Sequence, residues 1–272
     1  PDNLQAGSTG VDVGEAHTAM AEMLNGEGSK MLILGQAAMA HTQASWLRQL
    51  SAWIAAATGA ALNAIPHGGN STGAAMAGAL PGQGVAGSET DQGLNAREML
   101  AKPAKGYLLW DIEPEFDLAN PAMAMQTLTD ADTVVAVSSF ASEGLKATAD
   151  VILPLAPLAE SEGLFYTLDG QSFSVEQAVK SAGQSRPGWK ILRRLGAALE
   201  LDGFDQVDLA SIRAEMTAAF NDASYSASEV ELTVSKADAD LYRVGDVAIY
   251  SVDGLCRRSE YLQKTVQADT GF

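Results

Sequence analysis

Short apolar runs alternate with stretches of helical spacing along the first half of the chain. Met31-Leu-Ile-Leu-Gly35 reads as a buried strand closed by glycine. Trp46, Leu47, Leu50, Trp53, Ile54 and Ala57 then recur at helical intervals on one face, and Gly59 stops the helix. Residues 61–65 form a second short strand, and Asn70 is placed as N-cap of a small-residue helix reaching Leu80. The alternation continues with a strand over residues 106–110, a helix over 117–130, a strand over 132–137, a helical turn over 142–149 and a strand over 151–153. Strands alternating with helices imply an α/β fold with a doubly wound, mostly parallel, Rossmann-like sheet.

Pro154 and Pro157 end the last of these strands, and an acidic loop containing Glu160 and Glu162 leads into another. After Gln171 the pattern changes. Arg186-Pro-Gly-Trp-Lys opens a helix with Trp189, Leu192, Leu195 and Leu199 on one face, expected to be mainly core, and Lys190, Arg193 and Arg194 on the other; Gly203 closes it. A further helix spans residues 208–220, residues 222–228 read as a linker, and residues 230–234 and 246–250 as short strands. The expected division is an α/β domain over residues 1–220 and a small C-terminal extension over residues 221–272. There are no internal repeats.

With 272 residues and 47% hydrophobic content the chain can bury a substantial core, so disorder is excluded. Seventeen Lys and Arg against 34 Asp and Glu give a formal net charge of −17, which argues against a nucleic-acid partner. Cys256 is the single cysteine, so this chain alone cannot form an internal disulfide, an iron-sulfur cluster or a cysteine-rich zinc site, and a reducing cytoplasmic setting fits best. Neither a secretory leader nor a membrane-spanning segment is expected, because the longest apolar candidate, residues 52–64, is too short. The first residue is Pro1 rather than Met, which suggests a piece of a longer protein.

Two literal motifs do not carry the chemistry that their patterns suggest. Gly82-Gln-Gly-Val-Ala-Gly87 fits G-x-G-x-x-G, but a helix and Pro81 precede it rather than a strand, so it is expected to be a flexible surface loop. Gly69-Asn-Ser-Thr-Gly73 fits the G-x-S-x-G elbow of serine hydrolases. In that arrangement the acid and the histidine follow the serine, whereas His17, His41 and His67 all precede Ser71. The histidines do not cluster with acids at metal-ligand spacing, and Glu160 with Glu162 reads as a solvated acidic edge; no catalytic residue and no metal site are expected.

Three segments in this order, Phe140-Ala-Ser-Glu-Gly-Leu-Lys-Ala-Thr-Ala-Asp-Val-Ile-Leu-Pro-Leu, Ala159-Glu-Ser-Glu-Gly163 and Arg186-Pro-Gly-Trp-Lys-Ile-Leu-Arg-Arg-Leu-Gly196, resemble the molybdopterin oxidoreductase superfamily. They look most like its non-enzymatic branch, the C-terminal part of the large iron-sulfur subunit of respiratory complex I, the NADH:quinone oxidoreductase. Residues 63–73 resemble the superfamily's glycine-rich, Asn-containing loop, and Leu241-Tyr-Arg-Val-Gly-Asp-Val-Ala-Ile-Tyr with Arg257-Arg-Ser-Glu260 resembles the tail of the complex I subunit.

In the superfamily's molybdenum enzymes the E-x-x-G stretch continues with Thr, Asn, Glu and Arg. This chain has Leu164, Thr167, Asp169 and Gln171 at those places. Glutamine for arginine removes a fixed positive charge where an anionic cofactor would sit. The resemblance therefore implies a degenerate pterin pocket, with Asn70, Glu160, Glu162, Thr167, Asp169 and Gln171 as candidate residues, and no cofactor in this chain. It further implies a parent whose 2Fe-2S and 4Fe-4S clusters lie in a preceding N-terminal part, with peripheral-arm subunits of complex I as partners and a place on the cytoplasmic face of the bacterial inner membrane without direct membrane insertion. An active molybdenum oxidoreductase reduced to its pterin-holding domains is the alternative, and a free nucleotide-binding module a second.

Overall fold

The computed structural model describes residues 12–41, 43–66, 68–221 and 248–266. The described chain forms two compact units. One comprises the chain up to Thr72 together with Tyr166–Gln171; the other comprises Gly73–Phe165, the stretch from Ser172 to residue 221, and residues 248–266.

In the first unit, β1 (Met31–Leu34) and β2 (Ala61–Ala64) pair in parallel, Met31 beside Ala61 and Leu34 beside Ala64. A parallel pair needs a crossover. The Ala44–Thr58 helix supplies it and ends as expected, with Gly59 left-handed at φ 69°. Its buried face differs from the expected one: Ser51 and Ala55 are buried, while Trp53 is half exposed. Small residues one turn apart let the backbone approach its neighbours, so close approach and not side-chain volume selects the inward face.

The second unit carries the main core. β3 (Gly106–Trp110), β4 (Thr133–Ser138) and β5 (Val151–Pro154) form a parallel sheet in the order β3-β4-β5, Leu109 beside Ala136 and Ala136 beside Ile152. Leu109, Val134 and Ala136 of the sheet are buried against Leu128 and Leu145 of the crossover helices. The expected helix over residues 117–130 is two helices, Pro114–Asp117 and Pro121–Thr129. The ring of Pro121 disfavours helical backbone at Asn120, whose side chain instead caps the second helix by accepting from Met123 N at 3.0 Å. Ser142 caps the Glu143–Thr148 helix in the same way, accepting from Leu145 N at 3.2 Å. Asp150, just before β5, accepts from Val134 N at 2.7 Å and fixes the start of β4 against it.

Beyond β5 the chain forms the paired strands β6 (Gly163–Tyr166) and β7 (Ser172–Val175), then the helices Gly188–Ala198 and Leu209–Asn221. In the first of these helices Gly196 is buried, and a Cβ there would collide with the Phe204 ring. The expectation that its apolar face is mainly core is corrected by Leu192 and Leu199, which are 41% and 69% exposed. Of the two strands expected in the C-terminal extension, residues 230–234 lie outside the described residues. The described part of the other is a 3-10 turn, Ile249–Ser251, followed by the short helix Gly254–Arg257.

The difference between the sheet core and the exposed helix face is measurable by urea denaturation. Leu145→Ala should lower stability by about 2–5 kcal/mol through lost burial and an unfilled cavity. Leu192→Ala should cost about 1 kcal/mol or less.

Candidate functional site

The candidate pterin residues fall into two groups, one in each unit. Thr167, Asp169 and Gln171 make up the turn between β6 and β7. The Thr167 hydroxyl donates to the Asp169 carboxylate, Gln171 Nε2 donates to Asp169 Oδ2 at 2.8 Å, and Gln171 N donates to Thr167 Oγ1 at 3.1 Å. Gly170, at φ 82°, gives the turn its left-handed residue. The Thr167 hydroxyl, foremost, holds the Asp169 carboxyl below the usual carboxylate range; desolvation opposes it, and the Gln171 amide adds to the lowering. The three polar side chains are thus bonded to one another.

Asn70 belongs with this turn, though not as the expected helix cap. Its backbone is left-handed at φ 59°, a conformation that asparagine tolerates, and its Oδ1 accepts from Tyr166 N at 2.8 Å. The helix behind it, Ser71–Met76, also ends before Leu80. Asn63 adds a second tie to the same turn, donating from Nδ2 to the Leu168 carbonyl at 3.3 Å. Sequence reasoning thus found the glycine-rich loop and the turn, and the structure shows what joins them.

Glu160 and Glu162 lie in the other unit and act differently. Glu160 Oε2 accepts from Ala182 N at 2.9 Å and from Ser185 Oγ at 3.3 Å, fastening the loop that precedes the Gly188–Ala198 helix. Glu162 is exposed. None of these groups suits an anionic pterin dinucleotide: Asp169 and Glu160 are acceptors already engaged by the chain, and Gln171 carries no charge. The residues present do not fit the group.

The two literal motifs also resolve into local structure. Ser71 Oγ donates to the Gly68 carbonyl at 2.9 Å, an engagement that a nucleophile does not need. Residues 82–87 are not a loose loop. Gly84 N donates to Ser88 O at 2.8 Å, Gln83 bridges both Leu80 and Glu89, and a Cβ on Gly78 would strike the backbone of Gly84 at 2.6 Å.

Among the described residues one polar arrangement was not revealed by the sequence. It lies at the carboxyl ends of β3 and β4, the side on which open α/β sheets hold their ligands. Glu113 is buried there, its side chain 4% exposed. Arg257 Nη2 donates to its Oε2 at 2.7 Å, Arg258 Nη1 donates to the same oxygen at 3.0 Å, and Arg258 Nη2 donates to Oε1. Arg257 also reaches Asp117 at 2.8 Å. Each guanidinium covers a ring, Arg257 over Phe116 at 5.1 Å and Arg258 over Phe140 at 4.0 Å. Beside them Glu115 Oε1 accepts from Gly144 N at 2.8 Å, and a Cβ on residue 144 would collide with the Glu115 carboxylate. The chain thus places its own carboxylate at the start of the Glu143–Thr148 helix and its own guanidinium groups above it. Among the described residues, no group of three or more His, Cys, Asp or Glu could hold a metal ion.

Hydrogen bonding to Arg258 lowers the Glu113 pKa, burial opposes this, and the Arg257 bond adds to the lowering. A depressed folded-state pKa means that the stabilisation is present above the ordinary glutamate range, near about 4.3, and is lost as pH falls through the lower folded value. Glu113→Gln should cost on the order of 3 kcal/mol. It should also reduce the dependence of unfolding free energy on pH below about 4.3 and speed amide exchange in residues 248–266, as read by denaturation across pH and by hydrogen-exchange mass spectrometry.

Sequence comparison adds the lineage. A sequence model described as "Molybdopterin oxidoreductase" matches residues 8–198. The chain is also 30% identical, over 243 residues, to a subunit of the NADH-quinone oxidoreductase of Streptomyces coelicolor, in an alignment covering 78% of this chain and 28% of that protein. It therefore spans under a third of the length of the curated relative it matches. The matched stretch contains both parallel sheets, the Asn70 loop, the β6–β7 turn and the Gly188–Ala198 helix, and on that extent of agreement the chain belongs to the molybdopterin oxidoreductase family.

Proposed function

We propose that the chain is a cofactor-free scaffold portion of the large peripheral-arm subunit of an NADH:quinone oxidoreductase. The observation that carries this reading is the packing at the carboxyl ends of β3 and β4, where Glu115 sits on Gly144 N and the Arg257–Arg258 pair sits on Glu113. Those contacts provide stability where a nucleotide-binding relative of this fold would leave backbone N–H groups open. The self-bonded turn of Thr167, Asp169 and Gln171 supports it from the other unit.

In this reading residues 1–220 are the α/β body and residues 221–272 an extension, of which residues 248–266 are fastened through Glu113. The 2Fe-2S and 4Fe-4S clusters that carry electrons from NADH toward quinone belong to a preceding part of the parent subunit. The chain contributes surface, covering that part and touching neighbouring peripheral-arm subunits on the cytoplasmic face of the inner membrane. Met31 and Ile33, alternate residues of β1 that are 63% and 54% exposed, are apolar positions suited to such contacts. No described helix is long and apolar enough to cross a membrane.

Elemental analysis of the full-length parent, purified anaerobically, tests the reading. Iron and acid-labile sulfide should be abundant and molybdenum well below one atom per chain. Stoichiometric molybdenum together with an extractable pterin would replace the scaffold with a pterin-holding lobe of an active enzyme.

A further inference from the structure

Four of the 17 Lys and Arg of this acidic chain, Arg186, Lys190, Arg193 and Arg194, lie within nine residues around the start of the Gly188–Ala198 helix. They line one cleft of about 560 Å³. Among the described residues none of the four takes part in an ion pair, in contrast to Arg257 and Arg258. The electrostatics of the helix end does not account for Lys190. The first turn of a helix favours anions, yet Lys190 lies in that turn, no acidic residue does, and Pro187 offers no side-chain cap.

The cleft has an apolar component as well. Leu153, Pro154, Leu195 and Val207 line it, and so does Trp189, whose indole N–H is buried without an acceptor while Lys190 lies 5.2 Å from its ring centre. Four cations outside any ion pair, set around apolar side chains, suit a ligand that is both anionic and apolar. The spacing favours a chain over a single anion. Lys190 and Arg194 stand one helical turn apart, about 6 Å along the axis, close to the ~6.6 Å between alternate residues of an extended peptide.

We propose that this cleft docks an acidic segment of a partner protein, its carboxylates on Arg186, Lys190, Arg193 and Arg194 and an apolar side chain against Leu153, Pro154, Leu195 and Val207. The proposal draws on the scaffold reading only for the expectation of a partner, and its test on this chain is independent of molybdenum content. In a −17 chain such a patch restricts docking to segments that bring several carboxylates at once, and it gives association a salt dependence.

The test is fluorescence anisotropy of a labelled twelve-residue peptide alternating Glu with Leu and Phe, titrated with the 272-residue chain. Saturable binding is expected, weakening as ionic strength rises and at least tenfold weaker for the counterpart peptide with Gln in place of Glu. Arg193→Glu/Arg194→Glu should weaken it at least tenfold, and Lys102→Glu/Lys105→Glu, an equal charge change on exposed residues elsewhere, should leave it within twofold. Should the reversal variant fail to fold by circular dichroism, Arg193→Gln/Arg194→Gln carries the same comparison. Equal binding of the neutral peptide, or full binding by the Arg193/Arg194 variants, would overturn the proposal. So would displacement of the peptide by inorganic phosphate but not by chloride at matched ionic strength, which would assign a small-anion site instead.

Discussion

A carboxylate buried at the end of a parallel strand has to be answered by positive charge, and in this chain the answer comes from more than 140 residues away. Glu113 follows β3 and is held in the second unit by Arg257 and Arg258. Leaving such a group buried and alone is costly, whereas pairing it with two guanidinium groups, each also resting on an aromatic face, makes the burial tolerable. The result is cooperative: Glu113 keeps its charge because residues 248–266 are docked, and those residues stay docked because Glu113 is charged. The same contacts place side chains over the carboxyl ends of β3 and β4.

That coupling also marks the limit of what the sequence could disclose. The strands were legible because each is a short apolar run with a clear stop, and parallel pairing followed from the helices between them. The break at Asn120-Pro121 was in principle legible from the proline rule, but the apolar spacing across it suggested one continuous helix. The inward face of the Ala44–Thr58 helix escapes the apolar pattern because the small residues Ser51 and Ala55, which carry little apolar signal, are the buried ones while Trp53 is half exposed. The Glu113 site was not legible at all. Neither a lone Glu in the chain nor an Arg-Arg pair far downstream has a local pattern, and only the tertiary fold brings Glu113 and Arg257 to 2.7 Å.

The candidate pterin residues were found by resemblance, and the structure separates the reasons for their presence. Thr167, Asp169 and Gln171 satisfy one another within a turn, and Asn70 holds the backbone at the base of that turn. Hydroxyl, carboxylate and amide side chains next to a left-handed glycine are what a compact turn requires of its own accord. Folding constraints alone are therefore enough to account for these side chains. Gln171 fits that account, since its amide serves Asp169 as a neutral donor where a guanidinium would bring an outward charge.

The distribution of positive charge carries the argument one step further. Among the described residues only Lys146, Arg257, Arg258 and Lys264 form ion pairs, so position and not pairing alone distinguishes the cations of this chain. Arg257 and Arg258 converge on a single buried carboxylate. Arg186, Lys190, Arg193 and Arg194 instead line one cleft around a helix whose first turn disfavours the Lys190 charge. One set holds the chain together, so the contribution of the other is left to whatever the chain meets.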